Sequence, residues 1–162
     1  MSVAVTYGFT ATTVETLATN VPAASSPQVT HSGYNTSGTI NGTSTVPATQ
    51  CAYFSKALSS GAATIDLTAL TGTNGATVDL TGLKVQIARF KNPAANANSI
   101  TVTFGASNPY LLGGSAWKVI LAPGQQVMFF GNDAAPDVDS THKTIDIAGT
   151  GSQALEVSII AG

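Results

Sequence analysis

The chain has 162 residues, enough for one domain with a real core, or one domain and an arm. Charged residues make up 9% of it, against about 25% in ordinary soluble domains, and six bases against eight acids leave a net charge of −2. So few bases exclude a phosphate-tracking stripe, and with it nucleic-acid binding; the surface left, rich in Ser, Thr, Asn, Gly and Ala, repels copies of itself only weakly and favours association.

The opening "MSVAVTYGF" lacks a basic stretch and a long apolar run, which predicts no secretory signal. No apolar run approaches the ~20 residues that span a bilayer, so no membrane partner is expected. Residues 1–50 are thin in apolar side chains and rich in Thr, Ser, Ala, Gly and Pro. They read as an extended arm or edge strands, with short β-compatible pieces around Val3 and Val5, Val14 and Ile40. In "TINGTSTV" an Asn-Gly step lies between β-formers, which predicts a hairpin there. Cys51 cannot form an intrachain disulfide and, among apolar neighbours, reads as a buried thiol. Pro, Gly and β-branched residues interrupt every window long enough for a helix; one helical turn over residues 55–58 is the best candidate.

Residues 51–162 read as the body, and from Ala62 the pattern becomes regular alternation. "ATIDLTAL" sets Ile65 and Leu67 against Thr64, Asp66 and Thr68. "LKVQIARF" turns Leu83, Val85 and Ile87 inward and then changes parity at Phe90, which predicts a bulge near Ala88 or a strand buried on both faces. "NSITVTFG", "AWKVIL", "QQVMFF", "KTIDIAG" and "ALEVSIIAG" each alternate between apolar and polar positions. Turn clusters such as "NPAANANS", "APGQ" and "GTGS" separate them. Short strands at this spacing, each with one apolar face, predict an all-β, antiparallel two-sheet sandwich, a jelly roll first and an immunoglobulin-like sandwich second.

Reactive chemistry is sparse. "LAPGQQ" resembles the turn of cupin-type jelly rolls, but Gln125, Gln126, Val127 and Met128 stand where metal-binding cupins carry His and Glu. His31 and His142 are too far apart in sequence to supply a metal site, so no cofactor is expected. "NDAAPDVDST" offers Asp133, Asp137 and Asp139 as oxygen donors for calcium, without the EF-hand spacing; Asx and Ser/Thr side chains there also favour turns. Asp66 with Asp79, or Glu15 with Glu156, are the pairs to consider for glycoside hydrolysis. Tyr110 and Trp117 are the candidate aromatic platform for a glycan, although Trp117 shares parity with Val119 and Leu121.

Residues 62–162 resemble the jelly-roll decoration, or cement, proteins on the capsids of tailed bacteriophages. The likeness lies in "ITVTFGASNPYLLGG…VILAPGQQVMFF", in the ending "KTIDIAGTGSQALEVSIIAG", and in the low-charge, Thr/Ser/Ala-rich chain. It implies a non-enzymatic virion protein on the capsid exterior, made in the host cytoplasm, that binds the major capsid protein and stabilises neighbouring subunits. It also implies a homo-oligomer, a trimer before a dimer. The arm is the expected contact element, with Val3, Val5, Val14 and Ile40 as the interface residues, because an extended segment adds strands to exposed edges without needing charge. The alternative is a carbohydrate- or receptor-binding module of a phage tail or fibre. A major capsid subunit would want a basic arm, and no Lys or Arg precedes Lys56.

Overall fold

The computed structural model describes residues 3–16, 28–33 and 35–162. Among them there is no helix, hence none long and apolar enough to cross a membrane. The strands are β1 (Ala4–Phe9), β2 (Thr13–Thr16), β3 (Gln28–His31), β4 (Thr36–Asn41), β5 (Gln50–Ala57), β6 (Ala62–Asp66) and β7 (Leu70–Thr71). They continue with β8 (Thr77–Val78), β9 (Val85–Lys91), β10 (Ile100–Phe104), β11 (Lys118–Leu121), β12 (Gln126–Phe130), β13 (Thr144–Ala148) and β14 (Ala154–Ala161).

Two four-stranded antiparallel sheets make the body, a β-sandwich, in the orders β12-β9-β14-β5 and β11-β10-β13-β6. The alternation in the sequence dictates this. Ile100 and Val102, Val119 and Leu121, Ile145 and Ile147, and Leu155, Val157 and Ile159 all turn into one shared core with Phe90 and Tyr110. Within the two four-stranded sheets only β10 and β11 are both consecutive and adjacent; every other step between their strands changes sheets. β7 and β8 form a short ribbon flanked by two copies of one device. Asp66 Oδ1 accepts the N–H and hydroxyl of Thr68 at 2.9 and 2.7 Å, and Asp79 Oδ1 those of Thr81 at 2.9 and 2.6 Å. Each turn drives the leucine between its ends, Leu67 or Leu80, fully into the core.

The parity change in β9 is a bulge at Gln86, two residues before the expected place. Ala161 pairs with Val85 and Ile160 with Ile87, which leaves Gln86 unopposed. The strand is also buried on both faces: Val85, Ala88 and Phe90 enter the sandwich core, while Ile87 points out of it. The expectation that Ile87 faces inward with Val85 is therefore corrected. Gln86 is itself fully buried, and its amide compensates for the lost pairing. Its Nε2 donates to Asp133 Oδ1 at 3.0 Å and to the Gly162 carbonyl at 3.3 Å, and its Oε1 accepts the Asp133 N–H at 3.0 Å.

Outside the sandwich, Ile87 meets the arm. β1 and β4 pair antiparallel and lay Val3, Val5, Tyr7 and Ile40 over an apolar row of Phe130, Ile87 and Ile160, forming a second, smaller core. The Tyr7 and Phe130 rings sit 4.7 Å apart. Beyond this base the arm continues as a second ribbon, β2 paired with β3. Asn35 clasps the two: its Oδ1 accepts the Ala11 N–H at 2.9 Å and its Nδ2 donates to Thr12 Oγ1 at 3.2 Å.

Two local expectations fail for a common reason. Residues 55–58 contain good helix formers, yet residues 55–57 lie in β5, paired along its length with β14; tertiary pairing overrides weak propensity. At Asn41–Gly42 the chain does turn, but it does not return beside β4 as a hairpin. The Asn41 carbonyl accepts the N–H groups of Ser44 and Ala48, and the chain runs on into β5. Cys51 is exposed, not buried: it shares parity with Tyr53 on the outer face of β5, while Ala52 and Phe54 turn inward.

The step from β5 to β6 is a two-residue turn closed by reciprocal bonds between Ser59 and Ala62, at 2.9 and 3.1 Å. Both central residues are left-handed, Ser60 at φ 52° and Gly61 at φ 83°, the geometry that favours Asn-Gly. Ser60→Asn is expected to stabilise the protein by roughly 0.5 kcal/mol, read as a higher urea midpoint at unchanged m-value.

Candidate functional site

The residues proposed from sequence scatter. Val3, Val5 and Ile40 are engaged within the chain, in the small core under the arm. Val14 lies on the outer ribbon and is 54% exposed. Tyr110 is fully buried and offers no ring face to a sugar. Its hydroxyl accepts the Val85 N–H at 2.9 Å and donates to the Pro136 carbonyl at 2.8 Å, pinning the loop before β11 to the start of β9. Trp117 is half-buried, stacked 6.1 Å from Phe90, and its Nε1 donates to the Tyr110 carbonyl at 3.2 Å. The aromatic pair is thus part of the core wall: the loop before β11 folds Tyr110 into the core, and Trp117, just ahead of β11, packs against it.

Burial pushes the Tyr110 phenol up to about 12, with Asp137 adding to the effect and the Val85 N–H opposing it. In the unfolded chain a tyrosine ionises near 10, so this contribution to stability is complete below pH 10 and is lost as pH rises toward 12. Tyr110→Phe is expected to flatten that alkaline loss in melting curves. At neutral pH the same variant should cost about 1–3 kcal/mol, since it strips the partner from the buried Val85 N–H and from the half-buried Pro136 carbonyl.

The acids are tied to local structure. Asp139 Oδ1 accepts the N–H and hydroxyl of Thr141 at 2.6 and 2.8 Å, the same device seen at Asp66 and Asp79. The Thr141 and His142 hydrogen bonds hold the Asp139 carboxyl well below the usual carboxylate range. Asp133 is bound by Gln86, with Lys84 Nζ 3.5 Å away. The Asp137 backbone bridges to Lys84. These three acids do not converge on a common point, and among the described residues no group of three or more His, Cys, Asp or Glu side chains is placed to hold a metal ion. Asp66 faces Lys143 at 3.2 Å, Glu156 faces Lys91 at 3.1 Å and Glu15 faces His31 at 3.4 Å. Thr64 and the Ala106 N–H occupy Asp146.

Two surfaces stand out. One is the ribbon β2–β3, every residue of which is exposed. It carries Val14 and, on its other face, Val29 at 40% exposure. The other is the open part of the β12-β9-β14-β5 sheet. Register sets its outer side chains in rows: Phe130, Ile87, Ile160 and Cys51; then Met128, Arg89, Ser158 and Tyr53; then Gln126, Lys91, Glu156 and Ser55. The arm covers most of the first row and packs against Met128 of the second; the rest of the second and third rows stays partly or fully exposed, Tyr53, Gln126 and Ser55 most of all. A groove of about 450 Å³ runs between Phe9 of the arm and Arg89, Gln126 and Met128. Arg89, the chain's single arginine, donates from Nε to Gln126 Oε1 at 2.9 Å. Phe9 is 38% and Tyr53 55% exposed, and Arg89 lies between them, about 10 Å (two strand spacings) from Tyr53.

Sequence reasoning missed this face. Its signal was the outward parity of Tyr53 and Arg89, visible once β5 is read as a strand. No protein-family model, curated protein or solved structure matches the chain.

Proposed function

We propose that this is a structural virion protein, a capsid decoration protein that adheres to neighbouring capsid subunits and stabilises them. The observation that carries the reading is the arm. Its base is fastened to the sandwich by an apolar cluster of its own, while its outer ribbon β2–β3 buries nothing against the body. An isolated two-stranded ribbon is at best marginally stable in water, so one held out from a firm base is built to be covered by something else. The body supports the reading as a scaffold. We take its sheet orders, with first strand β5 beside last strand β14, as the connectivity of a jelly roll. The glycan-binding alternative loses its platform with Tyr110 buried.

The test is co-sedimentation with capsids from the native source stripped of this protein. The full chain is expected to pellet with them and to raise their melting temperature. A chain that stays in the supernatant at micromolar concentration defeats the proposal.

A further inference from the structure

The geometry points to a second copy of this chain as a partner: we infer that the ribbon β2–β3 of one copy docks on the Arg89–Tyr53 face of another. This goes beyond the decoration reading and does not depend on it. Self-association is measured without capsids, so either idea fails without the other.

The two surfaces complement one another in chemistry. The open face presents an arginine between two exposed aromatic rings, the residue types that dominate binding energy at protein interfaces. The guanidinium is bonded only through Nε, to a neutral amide, and among the described residues it has no carboxylate within 4 Å. Residues 1–2, 17–27 and 34 contain no acid that could supply one. Arginine's planar fork calls for a carboxylate.

Most acids of the body are engaged locally: Asp66, Asp79 and Asp139 each accept from a threonine through Oδ1, and Asp133, Asp146 and Glu156 have the partners described above. Asp79 Oδ2 and the Asp137 carboxylate are exposed without a bonded partner among the described residues, but both lie in loops of the body, not on the ribbon. Glu15, on the ribbon, is 59% exposed, and its one polar side-chain contact among the described residues is a 3.4 Å approach to an exposed histidine. Val29 lies directly opposite it, on the same face, ready to meet Tyr53 or Phe9. Docking on the same copy is disfavoured because the Asn35 clasp holds the ribbon as an extension of β1–β4, and all its residues are exposed there. Ribbon-to-face contact is heterologous, so it closes into a ring of copies where the rotation permits.

The experiment is sedimentation equilibrium on the full chain and three variants: Glu15→Arg, Arg89→Glu, and both together. The wild type is expected to associate, each single variant to weaken association about tenfold or more, and the double variant to recover most of the loss. Unchanged melting temperatures keep folding out of the comparison. A monomeric wild type, single variants that associate normally, or a double variant no better than the singles each overturn the inference. So does a chain that stays monomeric and is retained only by capsids or by an acidic glycan.

Discussion

Phe90→Ala is expected to lower the free energy of unfolding by about 3–5 kcal/mol, the largest loss for any single truncation in the sandwich. Phe90 is fully buried near the C-terminal end of β9, opposite Val127 of β12 on one side and Val157 of β14 on the other. Its ring stacks 6.1 Å from Trp117, which belongs to the opposite sheet's edge, and meets Phe129 edge-on at 6.4 Å. Removing it takes away apolar burial and one of the two aromatic contacts between the sheets, leaving Trp117–Phe129 at 5.2 Å as the other. Neighbours on paired strands cannot close the void without breaking ladder hydrogen bonds, so relaxation is limited. Urea unfolding should show a lower midpoint at unchanged m-value. A loss below about 1 kcal/mol would mean that the sheets are not packed through this residue.

Excising the outer ribbon is expected to abolish adhesion while sparing the fold. Phe9 and Thr36 are direct partners at the end of the β1–β4 ladder. Replacing residues 10–35 by Asn-Gly should therefore close that pair as an ordinary two-residue hairpin. The second apolar core under Val3, Val5, Tyr7 and Ile40 is untouched by this change. The unfolding free energy should stay within about 0.5 kcal/mol of the parent, as for surface changes generally. Capsid co-sedimentation and self-association should each fall at least tenfold. A ribbonless chain that still binds capsids would shift the adhesive role to the body. Removal of all of residues 1–50 is a poorer experiment, because it would expose Ile87, Phe130 and Ile160 and invite aggregation for unrelated reasons.

The sandwich was legible because its strands obey simple alternation: Ile100 and Val102, Val119 and Leu121, or Leu155, Val157 and Ile159 announce their inward faces. What escaped was whatever depends on a partner strand. Ile87 reads as inward only while β9 is taken as regular; the bulge at Gln86 is invisible until β14 is beside it. Residues 55–57 look helical until β14 recruits them into a ladder. Tyr110 and Trp117 look like a platform because exposure is not encoded in residue type, and both turned out to serve the core. The acids invited a calcium reading, whereas the recurrence of Asp-x-Thr at Asp66, Asp79 and Asp139 is a turn signature readable without any structure. The open Arg89–Tyr53 face needed the register of β9, β14 and β5 together, which no single segment carries.

Strand β14 lies in the interior of its sheet, with β5 on one side and β9 on the other. During synthesis, then, the earliest strand of the body waits for the latest. Until residues 154–161 clear the ribosome, β5 and β9 have unfilled edges and half of the core has no second wall. Strand-by-strand folding is closed to such a domain; it collapses only once residues 154–161 are available to it, slowly, as long-range β topologies do. Its low-charge nascent form will meanwhile lean on chaperones or on rapid capture by its own kind.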